Sequence, residues 1–534
     1  MSSLVAKAGV PAAARPPRVG GLRRDLGPLT WPTVVAVLSA AAFLVVQPDV
    51  GDLQAALARA FAARKGVGLG YWFQWFGGGA TPGNYSVLTP TLSGWIGAPL
   101  VGALATVAIT VLAGVAARGT AHPVAATWVA TVVCGLNLWS GRVPFALGTA
   151  AALGAYIAFR HRQILLLWAL TIVACLSSPV TGAFLAFVLG AAFLVEPAYR
   201  RWIWPAVAVA FLTLLGVAIF FGNPGPQPYS IWTALYSGAS ALFMLLARPA
   251  PSVRICLWLT AIAGLAFAII PTGMGSNWNR MPWIWLPAAA VATAAMPWRR
   301  WLIAILPAVI MCSYLTAADV VHSLDPAASA SYYQSLIHQL DKRPNLDNYR
   351  LEVVQDTSVH TAAYALIGHA ALAGGYETQE QSRVNAILQS PKLDATSYKI
   401  WLDNNAVGYV AFNKQSADDG NPEYRLLERG GLPYLTEVSS DHRWTLYQVR
   451  FPTPIVPKPQ TLVSADQAAL TIKVPCACSF SIRVRYSNFL GLANKDGKKK
   501  KGTVSDDGSG WTVLRTPAPG TYVLSGSVTR PLVR

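Results

Sequence analysis

Gly154-Ala155-Tyr156-Ile157-Ala158-Phe159-Arg160-His161-Arg162-Gln163-Ile164-Leu165-Leu166-Leu167-Trp168 joins two apolar runs through a short basic break. The first run begins at Val143 and the second continues to Ser177. A helix needs roughly 20 apolar residues to cross ~30 Å of hydrocarbon, and cationic loops stay in the cytoplasm. Outward from this pair, apolar stretches recur at about 31–47, 92–117, 122–140, 180–196, 202–221, 230–247, 255–272, 282–297 and 301–317. Every second connection is basic: Arg118, Arg160 with Arg162, Arg200 with Arg201, Arg248 with Arg254, and Arg299 with Arg300. The pattern predicts a polytopic α-helical membrane protein with about 11 transmembrane helices. It places a basic N-terminus (residues 1–30) in the cytoplasm, the spans over 31–317, and everything beyond outside the plasma membrane. The first span is followed by Pro48-Asp49 rather than a small-residue cleavage site, so it reads as a retained anchor.

Composition agrees with this class. Of 534 residues, 53% are hydrophobic and 12% charged, a balance typical of integral membrane proteins. The formal charge of +18 sits in the loops and in Lys498–Lys501, which excludes nucleic acid as the expected partner. Cys134, Cys175, Cys256 and Cys312 fall in spans, where cysteine is a small hydrophobe. Cys476 and Cys478 lack further metal ligands nearby, and a disulfide over so short a loop is expected to be strained.

Two regions stand outside the spans. A large outer loop, 48–91, carries a helix-forming stretch from Gly51-Asp52 to Arg64, with an expected apolar face of Leu53, Leu57, Ala60 and Phe61. An aromatic and glycine stretch follows, Tyr71-Trp72-Phe73-Gln74-Trp75-Phe76-Gly77-Gly78-Gly79, which reads as an interfacial belt. After residue 317 the composition turns polar. Strand-like runs at 349–354, 408–412, 435–438 and 444–449 alternate with helical stretches at 331–340, 359–372 and 397–405. Residues 318–452 thus predict an extracytoplasmic α/β domain. A proline-rich linker follows, and period-two runs at 469–474, 480–486, 511–515 and 522–527 predict a small β-sandwich over 460–534.

No nucleotide-binding loop, His-Glu-x-x-His or nucleophile elbow is present. The spans hold few ionisable groups, against a carboxylate-driven transporter. Polar groups collect instead at the outer boundary: Asp49, Asp52, Arg59, Arg142, Asn277 and Arg280, with Trp75 and Tyr85 nearby. An arginine holds a phosphate leaving group as a charge-assisted pair. A carboxylate deprotonates an attacking hydroxyl. Aromatic rings offer apolar faces to sugars. Asp52 also reads simply as a helix cap.

These residues resemble a known layout. The many spans, an acid just after span one and a soluble outer tail resemble the GT-C superfamily of membrane glycosyltransferases. The stretches Gly51-Asp52-Leu53, Arg59-Ala60, Trp75-Phe76-Gly77-Gly78, Thr81-Pro82-Gly83-Asn84-Tyr85-Ser86, Gly141-Arg142, Ser178-Pro179-Val180-Thr181-Gly182 and Gly275-Ser276-Asn277 are similar to a group of large actinobacterial membrane proteins. The resemblance implies transfer of a sugar from a polyprenyl-phosphate donor to a cell-envelope glycan acceptor at the lipid surface. Asp52 would be the catalytic acid and Asp49 the second candidate. Arg59, Trp75, Tyr85, Arg142, Asn277 and Arg280 would bind substrate. The two aspartates stand three apart rather than adjacent, which favours a reaction without a divalent metal or other cofactor. Two rival readings are a transporter or lipid flippase, expected to show two related halves, and a non-catalytic envelope assembly protein.

Overall fold

The computed structural model describes residues 27–222, 225–354, 361–375, 377–415, 421–495 and 502–532. The basic N-terminal arm up to residue 26 and Lys498–Lys501 lie outside the described residues. The membrane half consists of α1 (Gly27–Val46), α2 (Gly51–Arg64), α3 (Thr89–Ile96), α4 (Ala98–Ala116), α5 (Pro123–Trp139), α6 (Val143–Arg160), α7 (Ile164–Ser177), α8 (Pro179–Val195), α9 (Arg200–Phe221), α10 (Ile231–Phe243), α11 (Pro251–Ile269), α12 (Leu286–Ala292) and α13 (Trp298–His322). Among the described residues, six helical segments are long and apolar enough to cross a membrane: Leu29–Val46, α4, α6, Pro197–Phe221, α11 and α13. Large apolar side chains such as Val45, Phe211, Ile219 and Ile269 project outward from them, as a lipid-facing surface requires.

Two of the expected spans are interrupted. The stretch 92–117 breaks at Gly97, whose φ of 91° turns α3 into α4. The stretch 282–297 is no continuous helix. A 3-10 segment (Gly275–Asn279) and a π-helical turn (Met281–Trp285) lead into the short α12. Pro282 and Pro287 remove two amide donors here. Such turns recur where a helix must re-aim side chains at a functional site.

Beyond the membrane, β1 (Arg350–Val353), β2 (Val407–Asn413), β3 (Leu435–Ser440) and β4 (Trp444–Val449) form a sheet in the order β1-β2-β4-β3. The β1–β2 pair is parallel and the others antiparallel. Around it pack α14 (Gln334–Leu340), α15 (Ala362–Ala365), α16 (Thr378–Val384), α17 (Ala395–Asn404) and α18 (Pro422–Glu428). Of the helix expected over 359–372, residues 359 and 360 lie outside the described residues, and the described part holds only the single turn α15. The following residues turn instead, and Leu372 pairs with Leu351 as an isolated bridge.

The last seven strands are β5 (Thr461–Ala465), β6 (Ala469–Val474), β7 (Ser479–Arg485), β8 (Leu490–Asn494), β9 (Thr503–Asp506), β10 (Trp511–Arg515) and β11 (Gly520–Gly526). They form two sheets, β7-β10-β9 and β5-β6-β11-β8. The proline-rich stretch before them is no free linker, because Ile455 and Val456 are buried in the sandwich core. Cys476 and Cys478 form a disulfide, correcting the expectation that the short loop would disfavour one. The connection from β6 to β7 sets their Cα atoms 5.4 Å apart, inside the usual bridging range.

The aromatic stretch of the loop 48–91 is no interfacial belt. Trp72, Trp75 and Phe76 are buried with Leu351, Leu372 and Trp444 of the α/β region, whereas Tyr71 and Phe73 enter the sandwich core. The segment turns between the two isolated-bridge residues Trp72 and Ala80, and its side chains are shared between two cores. Arg350 pins the junction, donating to the carbonyls of Asn405 (2.9 Å) and Arg483 (2.6 Å). The predicted apolar face of α2 is likewise too narrow: Gln54, Ala55, Ala56, Ala58, Arg59 and Ala62 are also buried.

Candidate active site

Helix α2 starts at Gly51 and places Asp52 in its first turn, where the positive helix end favours a carboxylate. Asp52, Ala55 and Arg59 share one face, and all three line a single cavity of about 690 Å3. At 1.5 Å rise per residue, Asp52 and Arg59 stand ~10 Å apart along that wall. Arg142, Asn277, Arg280 and Tyr85 line the same cavity, with Ser178, Pro179 and Val180 of the α8 start. Its apolar wall includes Phe145, Leu214, Val217, Ala218, Trp283 and Leu315. The volume suits a small ligand or the head of a larger one.

The Asp52 end is built around Arg142. This residue precedes the first turn of α6, where a cation meets the unfavourable end of the helix dipole. Two carboxylates offset that: Arg142 Nε donates to Asp52 Oδ2 at 3.1 Å, and Nη2 to Asp319 Oδ2 at 3.2 Å. The pairing fixes the Asp52 carboxylate relative to α6 and α13. Arg280 follows the 3-10 segment, and its guanidinium lies 5.1 Å from the Phe145 ring centroid. The starts of α6 and α8 both reach the cavity, through Pro144 and through Ser178-Pro179-Val180. Helix N-termini and guanidinium groups together form an anion-attracting end.

The Arg59 end is enclosed. Arg59 Nη2 meets Glu377 Oε2 at 2.6 Å, and both side chains are over 90% buried, with exposures of 6% and 9%. The guanidinium lies 3.8 Å from the Tyr85 ring centroid and 5.1 Å from that of Trp75. Burial raises the Tyr85 hydroxyl above the usual tyrosine range, with Arg59 the main opposing influence. It therefore stays protonated and can donate. The loop carrying Asn84 and Tyr85 is held where it crosses the end of α7. There Ser86 Oγ donates to Ser177 O (2.8 Å) and the Val87 amide to Leu176 O (2.9 Å). These bonds satisfy carbonyls that a helix end leaves open.

Two of the sequence candidates lie off this wall. Asp49 accepts from Gln54 Nε2 at 2.7 Å, and burial pushes its carboxyl up despite that bond. Trp75 packs against Trp72 and Phe76 as well as Arg59. Two acids were missed. Asp319 is signalled only as an acid in the closing turns of an apolar helix. Glu377 lies 318 positions from its partner Arg59 and carries no local signal at all. Neighbouring Gln379 donates to Gly273 O at 2.8 Å, fastening this segment over the membrane half. No cluster of three or more His, Cys, Asp or Glu side chains suited to a metal occurs among the described residues.

Residues 457–531 match a family model described as Domain of unknown function (DUF8823). No curated protein matches in sequence. In structure the chain is similar to ArnT from Cupriavidus metallidurans, solved bound to undecaprenyl phosphate. The identity is 15% and the TM-score 0.45, over 78% of this chain and 98% of that one.

Proposed function

We propose that the chain is a membrane glycosyltransferase that takes a sugar from a polyprenyl-phosphate donor and transfers it to a hydroxyl of a cell-envelope glycan outside the membrane. The observation that carries this reading is the composition of one cavity. A carboxylate held by a guanidinium (Asp52–Arg142), a second arginine (Arg280) and two helix starts share it with an apolar wall from α9. Charged phosphate, hydroxylated sugar and greasy chain each find matching groups there.

In this mechanism Arg280 and the starts of α6 and α8 hold the phosphate as it leaves. Asp52 accepts the proton of the attacking hydroxyl while that oxygen bonds the anomeric carbon and the phosphate departs with the bonding pair. Arg142 orients Asp52 through its Nε and is itself anchored by Asp319. The Cys476–Cys478 disulfide supports an extracytoplasmic tail, because disulfides persist in oxidising compartments.

Asp52→Asn is expected to abolish transfer while leaving protein levels and melting behaviour intact. Full transfer by this variant would refute Asp52 as base. Envelope glycan unchanged in a strain lacking the chain would refute the activity.

A further inference from the structure

Glu377 lines the cavity, and the mechanism above leaves its chemistry unused. Its Oε2 is taken by Arg59. Its Oε1 is buried and finds no hydrogen-bond partner among the described residues. A carboxylate oxygen in that state costs desolvation energy unless something donates to it. Arg59 cannot supply more than balance, since it is paired at 2.6 Å and stacked on Tyr85. Phosphate is therefore unwelcome at this end, because it would face a carboxylate whose only close cation is already committed. A neutral donor such as a sugar hydroxyl is suited to it. Asn84 and Tyr85 flank the same end of the cavity.

The two ends are thus chemically distinct and ~10 Å apart along α2. Arg280, Arg142 and the helix starts favour an anion, while Glu377 favours a hydroxyl donor. We infer that Glu377 is a specificity-determining residue that accepts a hydroxyl of the donor sugar and so orients the lipid-linked sugar with its phosphate toward Arg280. This rests on the glycosyltransferase reading. It also gives the outer α/β region a direct part in selecting substrate, because Glu377 stands immediately before α16 and not on a membrane helix.

The test separates sugar from lipid phosphate. Full-length protein in detergent is titrated with farnesyl phosphate and with farnesyl phosphate carrying mannose, glucose or arabinose, binding being read by thermophoresis. The wild-type chain should prefer at least one sugar-bearing lipid over farnesyl phosphate. Glu377→Gln keeps a partner for Arg59 but turns an amide NH2 toward the ligand. It should cut the affinity for that sugar lipid about tenfold, a charged hydrogen bond's worth, and leave farnesyl phosphate unchanged. Equal loss of both affinities would make Glu377 a structural residue and overturn the inference. So would an unchanged sugar preference in the variant, or a wild type that binds farnesyl phosphate yet distinguishes no sugar. A wild type that binds neither lipid would refute the glycosyltransferase reading itself and the inference with it.

Discussion

Gly141→Ala tests how tightly the Asp52 end is assembled. Gly141 has φ of 75°, and an added Cβ would stand 2.5 Å from Leu53 N, 2.7 Å from Leu53 Cβ and 2.9 Å from Val50 Cγ2. Holding a left-handed backbone costs an alanine ~1–2 kcal/mol. Overpacking adds ~1–3 kcal/mol, because Leu53 N is backbone in the first turn of α2 and cannot rotate away. The expected total is about 2–5 kcal/mol. Relief to ordinary carbon contact needs a shift of roughly 1 Å. Asp52, next to Leu53, would be carried from its 3.1 Å contact with Arg142 Nε. Gly66→Ala is the matched control: its φ is 82°, and nothing lies within 4 Å of the new Cβ. Both variants are heated in detergent, and the surviving monodisperse fraction is followed by size exclusion. Gly141→Ala should melt clearly below Gly66→Ala and should lose transfer, while Gly66→Ala keeps it. Equal melting of the two would refute the claim that Gly141 lets α2 dock against Arg142.

Other outcomes follow from the same structure. Asp319→Asn leaves Arg142 one of its two carboxylates, so transfer should fall partially, between wild type and Asp52→Asn; a loss as complete as that of Asp52→Asn would place Asp319 in the chemistry itself. Glu423 and Glu352 share the buried core around Tyr398, where burial pushes Glu423 up to about 7 and Glu352 well above the glutamate range. The folded chain then holds protons that the unfolded chain releases. The stability contributed by these two groups is full below about pH 4.5 and is lost as pH rises through about 7, further for Glu352. Glu352→Gln should flatten the fall in melting temperature between pH 5.5 and pH 8.5, and an unchanged slope would refute this. Arg350→Ala removes the contact to Arg483 O that ties the α/β region to the sandwich, together with the contact to Asn405 O within the α/β region. It should expose the stretch 452–459 to limited proteolysis, measured as faster cleavage there. After reduction of intact cells, an impermeant maleimide should label Cys476 and Cys478; labelling only after lysis would put the tail in the cytoplasm.

The helices were legible because a bilayer imposes one simple rule. Lipid offers no hydrogen bonds to the backbone, so a span must be a long apolar helix, and Val143–Phe159 or Arg200–Phe221 can be read directly. Most tail strands were legible too, Ala469–Val474 from its period-two patterning among them. Short and polar strands were not: Thr461–Ala465 and Thr503–Asp506 hold mostly outward-facing residues and form only by pairing with neighbours.

Spacing along one helix made part of the site legible too. Asp52 and Arg59, two turns apart, share a face wherever α2 packs. What the sequence by itself determined is therefore the set of apolar helices and the polar residues stranded at their ends. The tertiary structure alone decided which of those residues meet. It buried Trp75 away from the cavity, brought Asp319 to Arg142, and set Glu377 against Arg59 across 318 positions. Local patterning reports the medium each residue prefers, water or lipid. Pairing at a distance depends on how helices, loop and sheets close upon one another, and no periodicity encodes that.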